Sequence, residues 1–172
     1  MEHIRLACGI SRGGLYHHFG NKRAILDALV EAEVSRLVLD FEAASGPPIA
    51  AVLTLGSSHL GGATGVLAHL SKPEERQDYL SSLDTAVFNL LSPVLCRRLA
   101  SCVEDGVAPG HVAELFLTIN SHINRREIMG DWDRREAAAF AATALLSLEP
   151  LLRKPTGLAP IIERLGVVAE RG

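Results

Sequence analysis

Residues 9–26 read Gly-Ile-Ser-Arg-Gly-Gly-Leu-Tyr-His-His-Phe-Gly-Asn-Lys-Arg-Ala-Ile-Leu, and the rest of the chain is interpreted from this stretch. Gly9 can adopt the positive φ that ends a helix, and Ser11 is a favourable N-cap for the helix that follows. Gly13 and Gly14 in its first turn each cost about 1 kcal/mol relative to alanine. The glycines therefore indicate either a loose loop or a helix whose backbone another molecule approaches closely.

The spacing of the apolar residues favours the helix, over residues 11–19. Leu15 and Phe19 lie four residues apart and would share one buried face. Gly20 and Asn21 are expected to end this helix and to cap the next one. The sequence thus predicts a turn, a short helix, a second turn and the start of a long helix.

The remaining residues of the short helix suit the recognition of nucleic acid. Its N-terminus presents free backbone amides flanked by Arg12 and Lys22, which is a favourable environment for a phosphate group. A short helix placed in this way after a turn is typical of a helix-turn-helix, in which residues 11–19 enter the major groove.

The stretch from Ile4 to Leu26 resembles the DNA-binding segment of the TetR/AcrR family of bacterial transcriptional regulators. The pattern that carries the resemblance consists of Ile4, Ala7-Cys8-Gly9-Ile10-Ser11, Leu15-Tyr16-His17-His18-Phe19 and Asn21-Lys22-Arg23-Ala24-Ile25-Leu26. It implies a ligand-responsive repressor that acts as a homodimer on double-stranded operator DNA. The expected DNA-binding residues are Ser11, Arg12, Gly13, Gly14, Tyr16, His17, His18 and Lys22.

The resemblance also implies a role for each side chain in this set. Arg12 and His17 would reach base edges, whereas Tyr16, His18 and Lys22 would hold phosphates.

The chain departs from the family pattern in three respects. Gly14 stands where members often carry Thr or Ser, and Ala24 stands where an acidic residue is common. Only Met1-Glu2-His3 precede the segment, although the family has a full helix there. Two alternatives follow. If Met1 is not the true start, the cellular protein is an ordinary repressor with a complete head. If the chain is a natural truncation, it is a dimeric ligand-binding module that cannot bind DNA.

Composition indicates a globular protein. The chain has 172 residues, of which 48% are hydrophobic and 22% charged, with a net charge of −3. Residues 1–23 nevertheless contain four Arg or Lys residues and one Glu, so the basic charge is concentrated at the predicted DNA-binding end. Three cysteines without a Cys-x-x-Cys motif are typical of a reducing cytoplasm, where we expect the protein. The apolar run 137–148 is too short to span a membrane.

Periodicity predicts an all-α fold, because apolar residues recur at intervals of three and four and no alternating pattern is present. An incomplete helix-turn-helix head with its connecting helix would occupy residues 1–41, and a helical-bundle body would occupy residues 42–172. Pro93 should kink or split a long helix that starts at Pro73. The predicted helices are 22–41, 49–60, 66–70, 73–105, 111–125, 134–152 and 161–169.

The resemblance implies two functions for the body. Helices 111–125 and 134–152 would form a four-helix homodimer interface, which the alanines of the second helix would allow to pack closely. A cavity among the helices of residues 49–125 would bind an unidentified small-molecule effector. The candidate lining residues are Phe88, Asn89, Phe116, Asn120, Met129 and Trp132, each of which could instead be an ordinary core or capping residue.

No motif in the sequence indicates catalysis or a metal. The seven histidines do not form His-Glu-x-x-His or zinc-finger spacing. Gly56-Ser57-Ser58-His59 lacks the second glycine of a nucleophile elbow. We therefore expect no enzyme activity, no cofactor and no metal site.

Overall fold

The computed structural model describes residue 9 and residues 11–59 and 66–171, without the side chains of Arg12, Leu15, Tyr16, residues 54–59 and Arg171. Within these residues the secondary structure is helical, as predicted, and no strand is present. The α-helices are α1 (Arg12–His18), α2 (Lys22–Ala43), α3 (Pro48–His59), α4 (Pro73–Ala86), α5 (Ser92–Leu99), α6 (Pro109–Met129), α7 (Arg134–Leu148) and α8 (Ala159–Arg171). Two 3₁₀ turns (Val66–His69 and Glu149–Leu151) and a π-helical segment (Val87–Leu91) complete the chain.

The first two helices begin at the capping residues that the sequence predicts. The Gly14 N–H donates to Ser11 Oγ at 3.0 Å, so that Ser11 caps α1. The Ala24 N–H donates to Asn21 Oδ1 at 2.9 Å, so that Asn21 caps α2. Gly9 has φ +64°, the left-handed conformation expected before a new helix. The predicted turn, short helix, second turn and long helix are confirmed from Gly9 onward.

Pro93 disturbs the long helix, but it does not break it. The segment Val87–Leu91 is a π turn, in which the Ser92 N–H donates to the Val87 carbonyl five residues earlier. A proline has no N–H for the carbonyl four residues before it, and its ring would clash with that carbonyl. The wide turn directly before Pro93 accommodates both effects, and α5 then continues to Leu99 rather than to residue 105.

The two helices predicted for dimerisation have different bounds from those expected. α6 starts at Pro109 and continues to Met129, where Gly130 ends it with φ +81°. α7 starts after a capping box of Asp133 and Glu136. Its α-helical part ends at Leu148, followed by the 3₁₀ turn, so the predicted helix 134–152 was too long by four residues.

The core consists of two apolar clusters, and α2 contributes to both. Val30 and Val34 pack in the smaller cluster with α4, and Leu37 and Phe41 pack in the larger one with residues of α3 and of α5 to α8. These four side chains are at most 1% exposed. α2 thus connects α1 to the body and is itself part of the body core.

Some predictions concern parts that the structure does not describe. They are the helix pattern before Gly9, the end of the predicted helix 49–60 with the residues up to 65, and the burial of the Leu15 side chain. Phe19, which was expected to share the face of Leu15, is half-buried. The division into residues 1–41 and 42–172 stays a prediction.

Candidate nucleic-acid interface and body cavity

The α1 helix presents polar side chains to solvent. Gly13, His17 and His18 are exposed, and the two imidazole rings meet edge to face with centroids 5.1 Å apart. The side chains of Arg12 and Tyr16 lie outside the described part of the structure, so only their backbone is placed, within α1. Gly13 is exposed and has no side chain, and a Cβ built there would meet nothing within 4 Å. Another molecule can therefore reach the backbone of the first turn.

Gly14, one of the positions that depart from the family pattern, lies against the N-cap. A Cβ atom built there would lie 3.2 Å from Ser11 Oγ, closer than ordinary van der Waals contact. The same Oγ accepts the Gly14 N–H in the N-cap. A side chain at position 14 would therefore require the Ser11 side chain to shift by a few tenths of an ångström.

Ion pairs connect the beginning of α2 to α4. Lys22 Nζ lies 2.9 Å from Glu75 Oε1 in the first turn of α4. Arg23 contacts Asp27 on its own helix at 2.9 Å and Asp78 on α4 at 2.7 Å. We call these five residues the junction network.

Asp27 of the junction network also accepts a hydrogen bond from a buried hydroxyl of α4. Ser82 Oγ of α4 donates to Asp27 Oδ1 at 2.5 Å. This bond, together with the nearby Arg23 guanidinium, holds the pKa of Asp27 below its ordinary value against the opposing effect of burial. Of the residues predicted to contact DNA, Lys22 thus has a carboxylate partner within the protein.

A cavity of about 880 Å³ lies inside the body. Its walls come mainly from apolar side chains of α2, α3, α4, the π segment, α6 and α8. Three of the residues predicted for an effector pocket, Phe88, Phe116 and Asn120, line it. Asn89, Met129 and Trp132 are not among the lining residues. Asn89 is exposed, and Trp132 packs against the rings of His122 and Phe140 with centroids 5.3 and 5.1 Å away.

Sequence reasoning missed most of the polar lining of the cavity, which includes Arg76, Asp84, Asn124 and Glu127. Asn124 and Glu127 follow Phe116 and Asn120 at helical intervals on α6, so the periodicity of that helix could have identified them. Arg76 and Asp84 give no such signal, because α4 is distant from α6 in sequence.

The carboxylates of the cavity have different environments. Asp84 accepts from Ser121 Oγ at 2.6 Å and from the Arg125 guanidinium at 3.1 Å, so its charge is compensated. Glu127 is exposed by surface area, but partial desolvation on the cavity wall raises its pKa, and the charge of Arg134 partly opposes that rise.

Two cavity residues differ in their hydrogen bonding. Arg76 donates to the Leu70 and Ile128 carbonyls at 3.2 and 3.1 Å. The side-chain amide of Asn124 has no hydrogen-bond partner among the described residues. A ligand could therefore pack on the apolar walls and be oriented by one polar side.

The outer surface of α6 and α7 carries apolar side chains. Leu115 on α6 is 49% exposed, and Phe140 and Leu146 on α7 are 38% and 53% exposed. Half of the large apolar residues that are exposed in the described chain belong to these two helices.

The described residues contain no group of His, Cys, Asp and Glu side chains that could hold a metal ion. Among the helices of this same part, none combines the length and the apolar character needed to cross a membrane.

Comparison with known proteins identifies the first part of the chain. Residues 1–29 match the family model described as "Bacterial regulatory proteins, tetR family". No curated protein and no solved structure matches the chain. The matched residues include α1, its cap Ser11 and the junction residues Lys22, Arg23 and Asp27. The match and the described helices together assign the DNA-binding helix-turn-helix to this end of an all-α protein. Over residues 1–29 the chain is similar to bacterial regulatory proteins of the tetR family, and this match supports a TetR-type DNA-binding transcriptional regulator.

Proposed function

We propose that the protein is a homodimeric transcriptional repressor that binds operator DNA in the cytoplasm and is released by a small-molecule effector. The observation that carries this proposal is α1 itself. It is a short helix, capped by Ser11, whose residues His17 and His18 point away from the protein interior. In the proposal α1 enters the major groove, with Arg12 and His17 at base edges and Tyr16, His18 and Lys22 at phosphates.

A dimer supplies the second recognition helix. We propose that α6 and α7 form its interface, because Leu115, Phe140 and Leu146 would become buried against a second copy. The two α1 helices would then lie about 34–36 Å apart, in successive major grooves on one face of the duplex. The operator is therefore expected to be a palindrome.

The cavity is the proposed effector site, and residues 42–172 the body that contains it. α4 supports this assignment by its position. It places Arg76, Leu83 and Asp84 on the cavity, whereas its residues Glu75 and Asp78 contact the start of α2. An effector that binds one arrangement of α4 and α2 better than another would change the population of DNA-competent dimers. The proposed head, residues 1–41, would follow that change.

Selection of binding sites from a random duplex library tests the DNA-binding role. We expect the full chain to enrich a palindrome with half-sites one helical turn apart. Arg12→Ala and His17→Ala should each lower the affinity for that palindrome by about tenfold or more, and they should relax the preference at particular base pairs. His69→Ala is the matched control, because His69 is an exposed histidine of the body. The absence of any enriched sequence would refute the proposal.

The effector role is tested on the same complex. A panel of small apolar and amphipathic compounds is screened for release of the selected duplex. A compound that releases DNA from the wild type should act less well on Asn120→Leu or Asn124→Leu, since both change the polar side of the cavity. Equal release from all three proteins would place the effector site elsewhere.

A further inference from the structure

The Lys22–Glu75 pair joins a predicted phosphate-binding residue to an acidic residue of the body. Lys22 Nζ and Glu75 Oε1 are 2.9 Å apart, and the two side chains are 69% and 27% exposed. The hydrogen bond from Lys22 holds the pKa of Glu75 below its ordinary value. The Glu75 carboxylate is therefore paired with the Lys22 ammonium group, which is expected to contact the DNA backbone.

A second ion pair of the junction network, between Arg23 and Asp78, also joins α2 to α4. The Arg23 guanidinium contacts Asp27 and Asp78, and the Ser82 hydroxyl of α4 donates to Asp27. These contacts do not involve Lys22. Glu75 would consequently stay close to Lys22 even if Lys22 turned toward another anion.

We propose that Glu75 competes with a DNA phosphate for Lys22, so that the first turn of α4 lowers the affinity of the protein for DNA. This inference rests on the proposed function, because it requires Lys22 to contact the duplex. It assigns Glu75 the role of a positioning residue that acts through Lys22. DNA binding then includes an exchange of partners at Lys22, in which phosphate replaces carboxylate.

The size of the effect follows from the exposure of the pair. Exposed ion pairs are weak and are screened by salt, so the competition should change affinity by about two- to fivefold at 0.1 M salt. The contact is to a phosphate and carries no sequence information, so the change should be similar on any duplex. A mixed-sequence duplex of 30 base pairs is therefore a sufficient probe.

Glu75→Gln removes the competing charge, and Glu74→Gln is its matched control. Glu74 lies in the same first turn of α4 and is exposed, and it forms no ion pair among the described residues. We expect Glu75→Gln to bind the 30-base-pair duplex about threefold more tightly than Glu74→Gln does. Equal affinities of the two variants would overturn the inference. Unfolding in urea shows whether both variants are folded.

The Lys22→Gln background shows whether the effect passes through Lys22. There, Glu75→Gln and Glu74→Gln should bind equally, because the group for which Glu75 competes is gone. A remaining advantage of Glu75→Gln would overturn the inference, since the effect would then be general repulsion of DNA.

The same measurements separate failure of this inference from failure of the proposed function. If Lys22→Gln binds as well as the wild type, Lys22 does not contact DNA and both the inference and that part of the proposed interface are wrong. If Lys22→Gln binds more weakly and the two glutamate variants are equal, only the inference is wrong.

Discussion

The two ends of α2 are held by different interactions. At its start, the exposed side chain of Lys22 is paired with a carboxylate of α4. Farther along, Val34 and Phe41 are 0% exposed and packed on all sides by the body. Exposed ion pairs contribute at most about 1 kcal/mol and are screened by salt, whereas a buried aromatic residue contributes several. Substitutions at the start of the helix should therefore cost little stability, whereas substitutions of its buried residues farther along should cost much more.

The largest expected effect is a loss of stability on substitution of a buried residue of α2. Phe41→Ala should destabilise the protein by about 3–5 kcal/mol, because it leaves a cavity in the larger core cluster. It also removes the ring on which the Arg98 guanidinium is stacked, 4.5 Å from the ring centroid. Phe19→Ala, at a half-buried position beside α1, should cost much less. Urea unfolding measures both variants, and equal losses would contradict the comparison.

A second prediction concerns exposed apolar residues, as distinct from the exposed charges of the junction network. Leu146→Glu on α7 should weaken the homodimer by about thirtyfold, corresponding to roughly 2 kcal/mol, because it places a charge in the proposed interface. Leu39→Glu is the control, since Leu39 is 65% exposed but lies on α2. Sedimentation measures the dimer. If both variants dissociate equally, or neither does, α7 is not the interface.

Two N-caps, one on α7 and one on α1, extend the comparison between the DNA-binding end and the body. Asp133→Ala removes the capping box of α7 and should lower the free energy of unfolding by about 1 kcal/mol. Ser11→Ala removes the cap of α1. Little of the body core depends on α1. The substitution should lower DNA affinity about fivefold and leave the urea midpoint unchanged. A shifted midpoint for Ser11→Ala would show that α1 unfolds together with the body.

The smallest effects are in the pH dependence of stability. The pKa of Asp27 is lowered from 3.8 in the folded state, so its contribution is present above that pH and is lost as the pH falls through the folded value. Wild type should therefore exceed Asp27→Asn in stability at pH 6, by roughly a few tenths of a kcal/mol, and lose that advantage toward pH 3.

Glu127, on the cavity, should behave in the opposite way. Its pKa is raised from 4.5 in the folded state, so its ionised form disfavours folding as the pH rises through the folded value. Glu127→Gln should be slightly more stable than wild type at pH 7 and equal to it at pH 4. Unfolding curves at the two pH values measure the difference in stability. A change in stability of the same sign for Asp27→Asn and Glu127→Gln near neutral pH would contradict this assignment.

The sequence was most informative where structure is local. The caps at Ser11, Asn21 and Asp133 were predictable because each involves a side chain and a backbone amide three residues away. The disturbance near Pro93 was predictable because proline lacks an N–H, although its form, a π turn, was not. The ends of α6 were misjudged because Pro109 can occupy the first helical position and Gly130 ends the helix later than the apolar pattern does.

The candidate site was less predictable because it depends on contacts between distant segments. Residue type alone suggested Trp132 for the pocket, but its ring packs with His122 and Phe140 instead. The Lys22–Glu75 pair joins residues 53 positions apart, and no pattern in either segment indicates the other. Helix periodicity shows which side of a helix is apolar, and it does not show which helix will cover it.

The π segment has a consequence for changes in chain length. Its turn, closed by the bond from the Ser92 N–H to the Val87 carbonyl, contains one residue more than an α-helical turn would. Loss of one residue between Val87 and Leu91 would therefore keep Leu83 before it and Leu95 after it in phase, but it would also bring the Pro93 ring against the carbonyl four residues earlier, a clash that the wide turn avoids. The same loss in the middle of α6 would rotate every later side chain by about 100°, because 3.6 residues make one turn. A deletion at the wide turn should therefore produce a local kink at Pro93, whereas a deletion in α6 should misplace the whole remainder of that helix.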